Sequence, residues 1–242
     1  MSDLHGNATA VRAVLADATT IGIDHWWILG DIIALGPEPV EVLELVAALP
    51  NVQAIAGNTE RYVLTGDGPY PTVEDVRADP ALLPRLVECT AAFSWTRGAV
   101  TAGGWFDWLA ALPRQLRLDL PDGTRVLGIH ASPRSDDGPG IDTRIDDGDL
   151  ATLLAGCDAD IVLGGHTHDA TDRRVAGVRA VNPGSVSNPT RSDRNATYTV
   201  VEYDDSSYRV EHRVVEYDVE AHLRRIEAVR HPAASHLAHF YR

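Results

Sequence analysis

The stretch Trp26-Trp27-Ile28-Leu29-Gly30-Asp31 indicates how this chain folds. Its four apolar residues are typical of a short buried strand, and the Gly-Asp pair that follows is typical of a turn. In open α/β sheets, ligands bind beyond the carboxyl ends of the strands. Asp31 is therefore placed where a functional side chain is expected.

Helical and strand patterns alternate around this stretch. Asn7 can cap a helix over residues 8–18, and a helix over residues 40–49 precedes a strand over residues 52–56. This βαβαβ order predicts an α/β fold whose helices cover a parallel sheet. The later elements are predicted as strands over residues 126–129, 161–163 and 178–181, a hairpin over 197–203 and 208–215, and a helix over 219–229.

Residues 61–121 have a different pattern. Proline-bounded helical segments are predicted over residues 81–94 and 104–112, with several aromatic residues between and within them. We interpret this region as a helical insertion within a single domain spanning residues 1–242. No internal repeat or low-complexity segment interrupts the chain.

Composition narrows the possible functions. Of the 242 residues, 35 are acidic and 21 basic, a formal net charge of -14, so nucleic-acid binding is not expected. No apolar run reaches the roughly 18–20 residues of a membrane span, and no signal peptide is recognisable. The two cysteines, Cys89 and Cys157, lack metal-type spacing and are predicted to be buried thiols of a cytoplasmic protein.

Five short apolar runs each end at potential metal ligands. The donors are carboxylates, one amide and imidazoles, a set that suits divalent first-row metals. Seven groups exceed the needs of one tetrahedral ion but suit two ions that share a carboxylate, and paired ions roughly 3.5–4 Å apart are a recurring device for displacement at phosphorus. The fragments are Asp3-Leu4-His5, Gly30-Asp31, Gly57-Asn58, His130 and Gly165-His166-Thr167-His168.

This ordered set resembles the calcineurin-like metallophosphoesterase superfamily, whose pattern is D-x-H, G-D, G-N-H, H and G-H-x-H. The resemblance extends from Asp3 to about Asn195. It is nearest to small bacterial phosphodiesterases and protein-phosphatase-like members that also carry an Asn-Pro-Gly-Ser motif after the last ligands, which in this sequence is Asn182-Pro183-Gly184-Ser185. It implies a four-layer α/β sandwich with two central mixed sheets. It also implies a first metal held by Asp3, His5, Asp31 and His168, and a second held by the bridging Asp31 with Asn58, His130 and His166.

The resemblance implies a phosphohydrolase that acts on a small phosphoester or a phosphoprotein. A metal-bound hydroxide would attack phosphorus in line, without a covalent enzyme intermediate. Asp31, Asn58 and His130 are predicted to be catalytic as well as metal-binding. Manganese is the first choice for the two ions, and iron, zinc or nickel would also suit the ligands.

Position 59 departs from the family pattern, since Thr59 stands where the histidine of G-N-H is expected. A threonine hydroxyl is not a general acid near neutral pH. Glu60 could replace it if its pKa were raised, or could simply be an acidic residue in the first turn of a helix. Diesters with good leaving groups depend less on protonation, so phosphodiesters are slightly favoured over phosphomonoesters.

The start of the sequence also departs from the pattern. Only Met1 and Ser2 precede Asp3, where the family has an apolar central strand. The first strand is therefore predicted to be missing, through a late start of the sequence. The alternative is that Asp3 and His5 hang from a frayed terminus.

Two other functions remain open. A catalytically weak scaffold that binds protein partners is one alternative, since a retromer subunit resembling this family serves that way; the retained ligands argue against it. A cyclic-nucleotide or dinucleoside-polyphosphate hydrolase is the other.

Three arginines near the motifs and six further histidines also have predicted positions or roles. Arg61, Arg134 and Arg191 follow motif segments and could hold a substrate phosphate, with surface ion pairs as the alternative. Six histidines match no ligand position and are predicted to lie at the surface: His25, His212, His222, His231, His236 and His239.

Overall fold

Helices and strands alternate through the computed structural model, which describes residues 1–68 and 70–241. Pro69, within the predicted insertion, and Arg242 lie outside the described residues. The helices are α1 (Ala8–Thr19), α2 (Pro39–Ala47), α3 (Asn58–Thr65), α4 (Val73–Ala78), α5 (Leu83–Ala102), α6 (Phe106–Ala110), α7 (Asp147–Leu154), α8 (Val219–Ala228) and α9 (Ala234–His239). The strands are β1 (Trp26–Ile28), β2 (Val52–Ala54), β3 (Leu116–Asp119), β4 (Arg125–Ile129), β5 (Ile161–Gly164), β6 (Thr171–Val175), β7 (Val178–Asn182), β8 (Ala196–Tyr203) and β9 (Tyr208–Val215).

The larger sheet is mixed and has five strands in the order β3-β4-β5-β7-β6. Its centre, β4-β5-β7, is parallel, and both edge strands are antiparallel to their neighbours. The parallel pairing predicted from the βαβαβ order is observed between β1 and β2, and the continuous apolar runs of β4 and β5 suit a buried parallel centre. No strand is predicted from the sequence at the edge strands β3 and β6, since half or more of their residues are polar and neither has a continuous apolar run. The predicted α/β class with mixed sheets is confirmed.

Residues 1–3 lie between the parallel pair β1-β2 and the hairpin β8-β9 and are hydrogen-bonded on both sides. Their backbone is hydrogen-bonded to β1 and the residues after it, from Leu29 N–H to Met1 O at 3.0 Å and from Asp3 N–H to Gly30 O at 3.1 Å. On the other side, Val186 N–H donates to Ser2 O at 3.1 Å, and Thr197 N–H of β8 donates to Ser185 O at 2.8 Å. The hydrogen bonding thus continues from the parallel pair β1-β2 to the hairpin β8-β9.

The frayed-terminus alternative is therefore wrong. Met1 is 7% exposed, and Ser2 and Asp3 are fully buried. Three residues occupy the place where the family pattern has its first strand. They are held because their amides and carbonyls have partners on two sides.

Several local predictions agree with the structure and others differ. Asn7 caps α1 by accepting a hydrogen bond from Ala10 N–H at 3.0 Å. Helix α5 continues eight residues past the predicted end at Ser94, because Thr96 and Val100 pack into the core. The surface assignment of His222 and His231 is wrong: they are 0% and 3% exposed.

Two further predictions concern the cysteines and membrane-spanning segments. Both cysteines are free thiols; Cys157 is buried as predicted, whereas Cys89 is only partly buried. None of the described helices combines the length and apolarity needed to cross a membrane.

An apolar cluster joins the two groups of strands. It brings residues near β1 and β2 against the inner face of the five-stranded sheet, so both groups present their carboxyl ends to one region of the molecule. Its buried members are Leu29, Ile55, Leu116, Leu120, Val126, Ile161, Leu163 and Val181.

Truncation within this cluster should destabilise the protein strongly. Ile161 on β5 is 0% exposed, so Ile161→Ala should lower the free energy of unfolding by about 2–5 kcal/mol through lost burial and a residual cavity. Urea unfolding measures the change. The control Leu118→Ala, at a side chain 38% exposed on β3, should change it by less than about 0.5 kcal/mol.

Candidate metal centre

The seven candidate ligands come together beyond the carboxyl ends of the strands. Asp3 ends the segment of residues 1–3 and His5 follows it; one ligand follows β1, one begins α3 after β2, one follows β4, and two follow β5. Two sets of their donor atoms lie within 4.8 Å of one another, namely those of Asp3, His5 and His168 and those of Asp3, Asp31 and His130. Five of the seven residues are buried: Asp3, His5, Asp31, Asn58 and His130.

The first group consists of Asp3, His5 and His168. The Nε2 atoms of the two imidazoles are 3.1 Å apart, and His168 Nε2 is 3.4 Å from Asp3 Oδ1. Each Nδ1 lies against a backbone carbonyl, Ala34 O at 2.8 Å for His5 and Asn188 O at 2.7 Å for His168. Since Nδ1 must donate there, both Nε2 lone pairs face each other and the carboxylate, an arrangement that a cation satisfies.

The second group surrounds the amide oxygen of Asn58. His130 Nε2 and His166 Nδ1 both lie 2.9 Å from Asn58 Oδ1, and His130 Nε2 is 3.3 Å from Asp31 Oδ1. The other ring nitrogens donate to carbonyls, His130 Nδ1 to Leu29 O at 2.7 Å and His166 Nε2 to Gly138 O at 3.0 Å. When both imidazoles are neutral, acceptors therefore face acceptors here as well, and these oxygen and nitrogen atoms fit a divalent ion.

Asp31 lies between the two groups. Its Oδ1 is near His130, and its Oδ2 is 3.8 Å from His5 Nε2. Burial opposes ionisation of this carboxyl, but the charge of His130 holds its pKa well below the usual range. Burial likewise opposes a charged imidazole, but the Asp31 carboxylate raises the pKa of His130 to about 10. Without metal, protons therefore occupy positions that a metal would take.

Five of the seven candidate ligands have left-handed backbone conformations. Each such conformation of a non-glycine residue is unfavourable, by about 1–3 kcal/mol, although Asp and His adopt it more readily than most residues. Surrounding hydrogen bonds must therefore hold these loops. The φ angles are +56° for Asp3, +44° for His5, +52° for Asp31, +70° for His166 and +59° for His168.

Glu60 holds the loop that carries Asp31. Its fully buried carboxylate accepts hydrogen bonds from four backbone amides. Burial, together with the Asp31 charge, raises the pKa of Glu60 to about 7. Because both oxygens face amides, Glu60 does not replace the absent histidine as a proton donor to substrate. The donors are Asp31 N at 2.8 Å, Ile32 N at 2.8 Å, Ile33 N at 3.3 Å and Gly57 N at 2.8 Å.

Thr59 and Gly57 also position Asp31. The Thr59 backbone N–H and Oγ1 both donate to Asp31 Oδ1, each at 2.9 Å. A Cβ on Gly57 would lie 2.2 Å from the same oxygen, so only glycine permits this close approach. The threonine that departs from the family pattern is thus a direct partner of the candidate bridging carboxylate.

Asn182 does more than form the turn at Asn182-Pro183-Gly184-Ser185. It accepts a hydrogen bond from Gly184 N–H at 2.8 Å, as a turn residue would. Its amide also donates to Ile141 O at 2.9 Å and to Gly165 O at 2.8 Å. The loop that carries His166 and His168 is thereby attached to the end of β7, which local sequence patterns could not reveal.

The three candidate substrate arginines have other partners. Arg61 forms a bidentate ion pair with Asp136, with contacts of 3.0–3.2 Å. Arg191 is paired with Asp193, which is the ion-pair alternative left open by the sequence. Arg134 donates to carbonyls at the end of α7, including Ala155 O at 2.8 Å. These guanidinium groups are therefore already engaged.

Metal binding should release protons. Nearby carboxylates raise the pKa of His168 and raise that of His130 to about 10, so at pH 7 a metal must displace a proton from His130. Calorimetric titration of metal-stripped protein with Mn²⁺ in buffers of different ionisation enthalpy should report about one proton or more released, and affinity should fall as the pH falls. A heat independent of buffer would contradict this.

Loss of the Thr59 hydroxyl should weaken metal binding. Thr59→Val keeps the shape but removes one of the two hydrogen bonds to Asp31, so Mn²⁺ affinity should fall about 10-fold to 100-fold. Thr59→Ser retains the hydroxyl and should bind nearly as the wild type does. Equal affinities for the valine and wild-type proteins would show that the hydroxyl does not position Asp31.

Solved structures with this fold are known. A hypothetical protein from Pyrococcus horikoshii OT3 superposes with a TM-score of 0.80 at 23% identity, over 98% of this chain and 95% of that one. A metallophosphoesterase from Sphaerobacter thermophilus superposes with a TM-score of 0.73 at 26% identity, over 98% and 96%.

Sequence comparisons lead to the family. The chain is 25% identical over 246 residues to an uncharacterized protein of Methanocaldococcus jannaschii, covering 96% of this chain and 92% of that protein. The profile of the calcineurin-like phosphoesterase superfamily domain matches residues 1–206. Because that match spans most of the chain, the protein belongs to the calcineurin-like phosphoesterase superfamily.

Proposed function

We propose that this protein is a phosphohydrolase that depends on two divalent metal ions and prefers phosphodiesters. The observation that carries the proposal is the pair of donor groups whose lone pairs face inward on either side of Asp31. Unpaired buried carboxylates and imidazoles are costly without a cation. Membership in a phosphoesterase superfamily supports this chemistry.

The two ions would share Asp31. Asp3, His5 and His168 would complete one site, and Asn58, His130 and His166 the other. When bound, such ions supply Lewis acidity that activates water and neutralises charge on the phosphoryl oxygens. Manganese is our first choice, with iron, zinc or nickel compatible with the same oxygen and nitrogen donors.

The chain's own residues hold and orient this centre. Glu60 and Thr59 fix Asp31, and backbone carbonyls fix the proton of each imidazole on the nitrogen that faces away from the centre. The Thr59 hydroxyl donates to Asp31, so it does not protonate a leaving group. A substrate whose leaving group departs without strong acid assistance suits this arrangement.

Charge near the centre favours a monoanionic substrate. Asp137 Oδ1 lies 4.0 Å from His166 Nε2, and its side chain is 41% exposed. Two cations lie nearby: Arg61 is paired with Asp136 and also contacts Asp137 at 3.4 Å, and Arg114 lies 3.6 Å from Asp136. A phosphodiester carries one negative charge, whereas a phosphomonoester carries up to two near pH 7 and is repelled more strongly by this rim.

A protein-binding scaffold, the alternative function, would not require these residues to bind metal for catalysis. A scaffold has no chemical need for seven metal-type donors brought together, five of them at strained backbone positions. A scaffold would bind metal without turnover. A nucleotide-specific hydrolase would instead show saturable preference for one nucleotide over generic aryl esters.

Hydrolysis of two aryl esters tests the proposal. Metal-stripped protein should cleave bis-p-nitrophenyl phosphate only after Mn²⁺ is added, with a higher kcat/KM than for p-nitrophenyl phosphate. Asp31→Asn removes the shared charge and should reduce turnover by more than about 100-fold, beyond the usual effect of losing a residue that only supports a ligand.

The control is Asp193→Asn, at an acidic residue paired with Arg191, and it should retain activity. Faster cleavage of the monoester would overturn the diester preference. Mn²⁺ binding without cleavage of either ester would overturn the hydrolase assignment and favour the scaffold.

A further inference from the structure

The end of the described chain reaches the neighbourhood of the candidate metal centre. The superfamily match ends at residue 206, before α8 and α9. Tyr241 follows α9 and is 1% exposed. Its ring packs edge-on against His222 of α8, with 4.9 Å between ring centroids. A residue outside the matched region is thus built into the core.

The hydroxyl of Tyr241 is at the centre of a closed hydrogen-bond network. It accepts a hydrogen bond from Asn188 N–H at 3.0 Å and donates to Asn188 Oδ1 at 3.0 Å. It also lies 2.7 Å from Ser187 Oγ, which accepts from the Asn7 amide at 3.1 Å. If Tyr241 donates to Asn188, then Ser187 donates to Tyr241, so the hydroxyls of Tyr241 and Ser187 each donate one hydrogen bond and accept at least one.

Residues 187 and 188 contact two candidate ligands directly. Asn188 O accepts the hydrogen bond from His168 Nδ1 at 2.7 Å, which directs Nε2 of that ring toward the centre. Ser187 N–H donates to Asp3 O at 2.9 Å. Asn188 has a left-handed backbone, with φ of +50°, so its carbonyl keeps this direction only while other contacts hold the residue.

We propose that the Tyr241 hydroxyl is a positioning group for the metal centre. It holds Asn188 in its left-handed conformation from two sides, and Asn188 in turn orients His168. The inference rests on the metal centre proposed above. It assigns a part in metal binding to the C-terminal segment, which lies outside residues 1–206 matched to the superfamily.

The alternative is that Tyr241 only anchors the C-terminal segment. That anchoring comes from the buried ring, which phenylalanine would preserve. The hydroxyl, in contrast, contacts residues 187 and 188, which adjoin the ligands. Tyr241→Phe therefore separates the two roles, because it keeps the packing and removes the hydrogen bonds.

A matched control is available in Tyr198. It is also buried, at 2% exposed, and its hydroxyl donates to Asp17 at 2.7 Å. Asp17 lies near the end of α1 that is remote from His5, so this hydroxyl supports the fold without contacting the ligands. Tyr198→Phe and Tyr241→Phe each remove one buried hydroxyl and should each lower the midpoint of thermal unfolding by a few degrees.

Calorimetric titration of the metal-stripped full chain with MnCl₂ is the test. Tyr241→Phe should bind Mn²⁺ about 10-fold to 100-fold more weakly than the wild type, whereas Tyr198→Phe should match the wild type within about twofold. Equal weakening in both variants would show a general effect of stability and overturn the inference. Unchanged binding by Tyr241→Phe would overturn it while leaving the metal centre intact. Failure of the wild type to bind would overturn both proposals.

Discussion

The burial of the Asp31 carboxylate is the constraint on which the candidate centre depends. A buried carboxylate is costly unless charges and hydrogen-bond donors surround it. Thr59 supplies two donors to one oxygen, and His5 and His130 lie on either side. Glu60 supplies no donor to Asp31 but fixes the backbone around it through four amides, although the two carboxylates repel each other. Glu60 therefore holds the loop of Asp31 despite the charge repulsion, because the four amide hydrogen bonds to its carboxylate compensate for that repulsion.

Several residues around this carboxylate have strained, left-handed backbone conformations, and distant parts of the chain hold them in place. The left-handed ligands lie on loops, and each loop is tied to a distant part of the chain. Asn182 holds the loop of His166 and His168, Asn188 orients His168, and residues 1–3 lie between two hydrogen-bonded segments. Rigid strands bring the loops together, and side-chain hydrogen bonds then set the direction of each donor atom.

The candidate ligands match the pattern of the superfamily, whereas the proposed substrate preference rests on Thr59 and Asp137, which lie around them. The donor atoms suit metal-assisted phosphoester hydrolysis, while Thr59 serves Asp31 and leaves no acid at the position of the family histidine. Asp137 keeps negative charge near His166. Both properties support the proposed preference for a substrate of low charge with a good leaving group. The preference would thus arise from groups around the ligands and not from the ligands themselves.

The sequence by itself determined the parts of this protein that local pattern controls. Buried strands such as residues 126–129, the cap at Asn7 and the candidate ligands at strand ends could be identified because apolar period and turn residues act over a few positions. The polar edge strands β3 and β6 lacked that signal. Only the tertiary structure decided the partners of Arg61, the burial of His222, the amides around Glu60 and the contact of Tyr241 with Asn188. These contacts join residues far apart in the chain, and no local period records which donor will meet which acceptor once the core has packed.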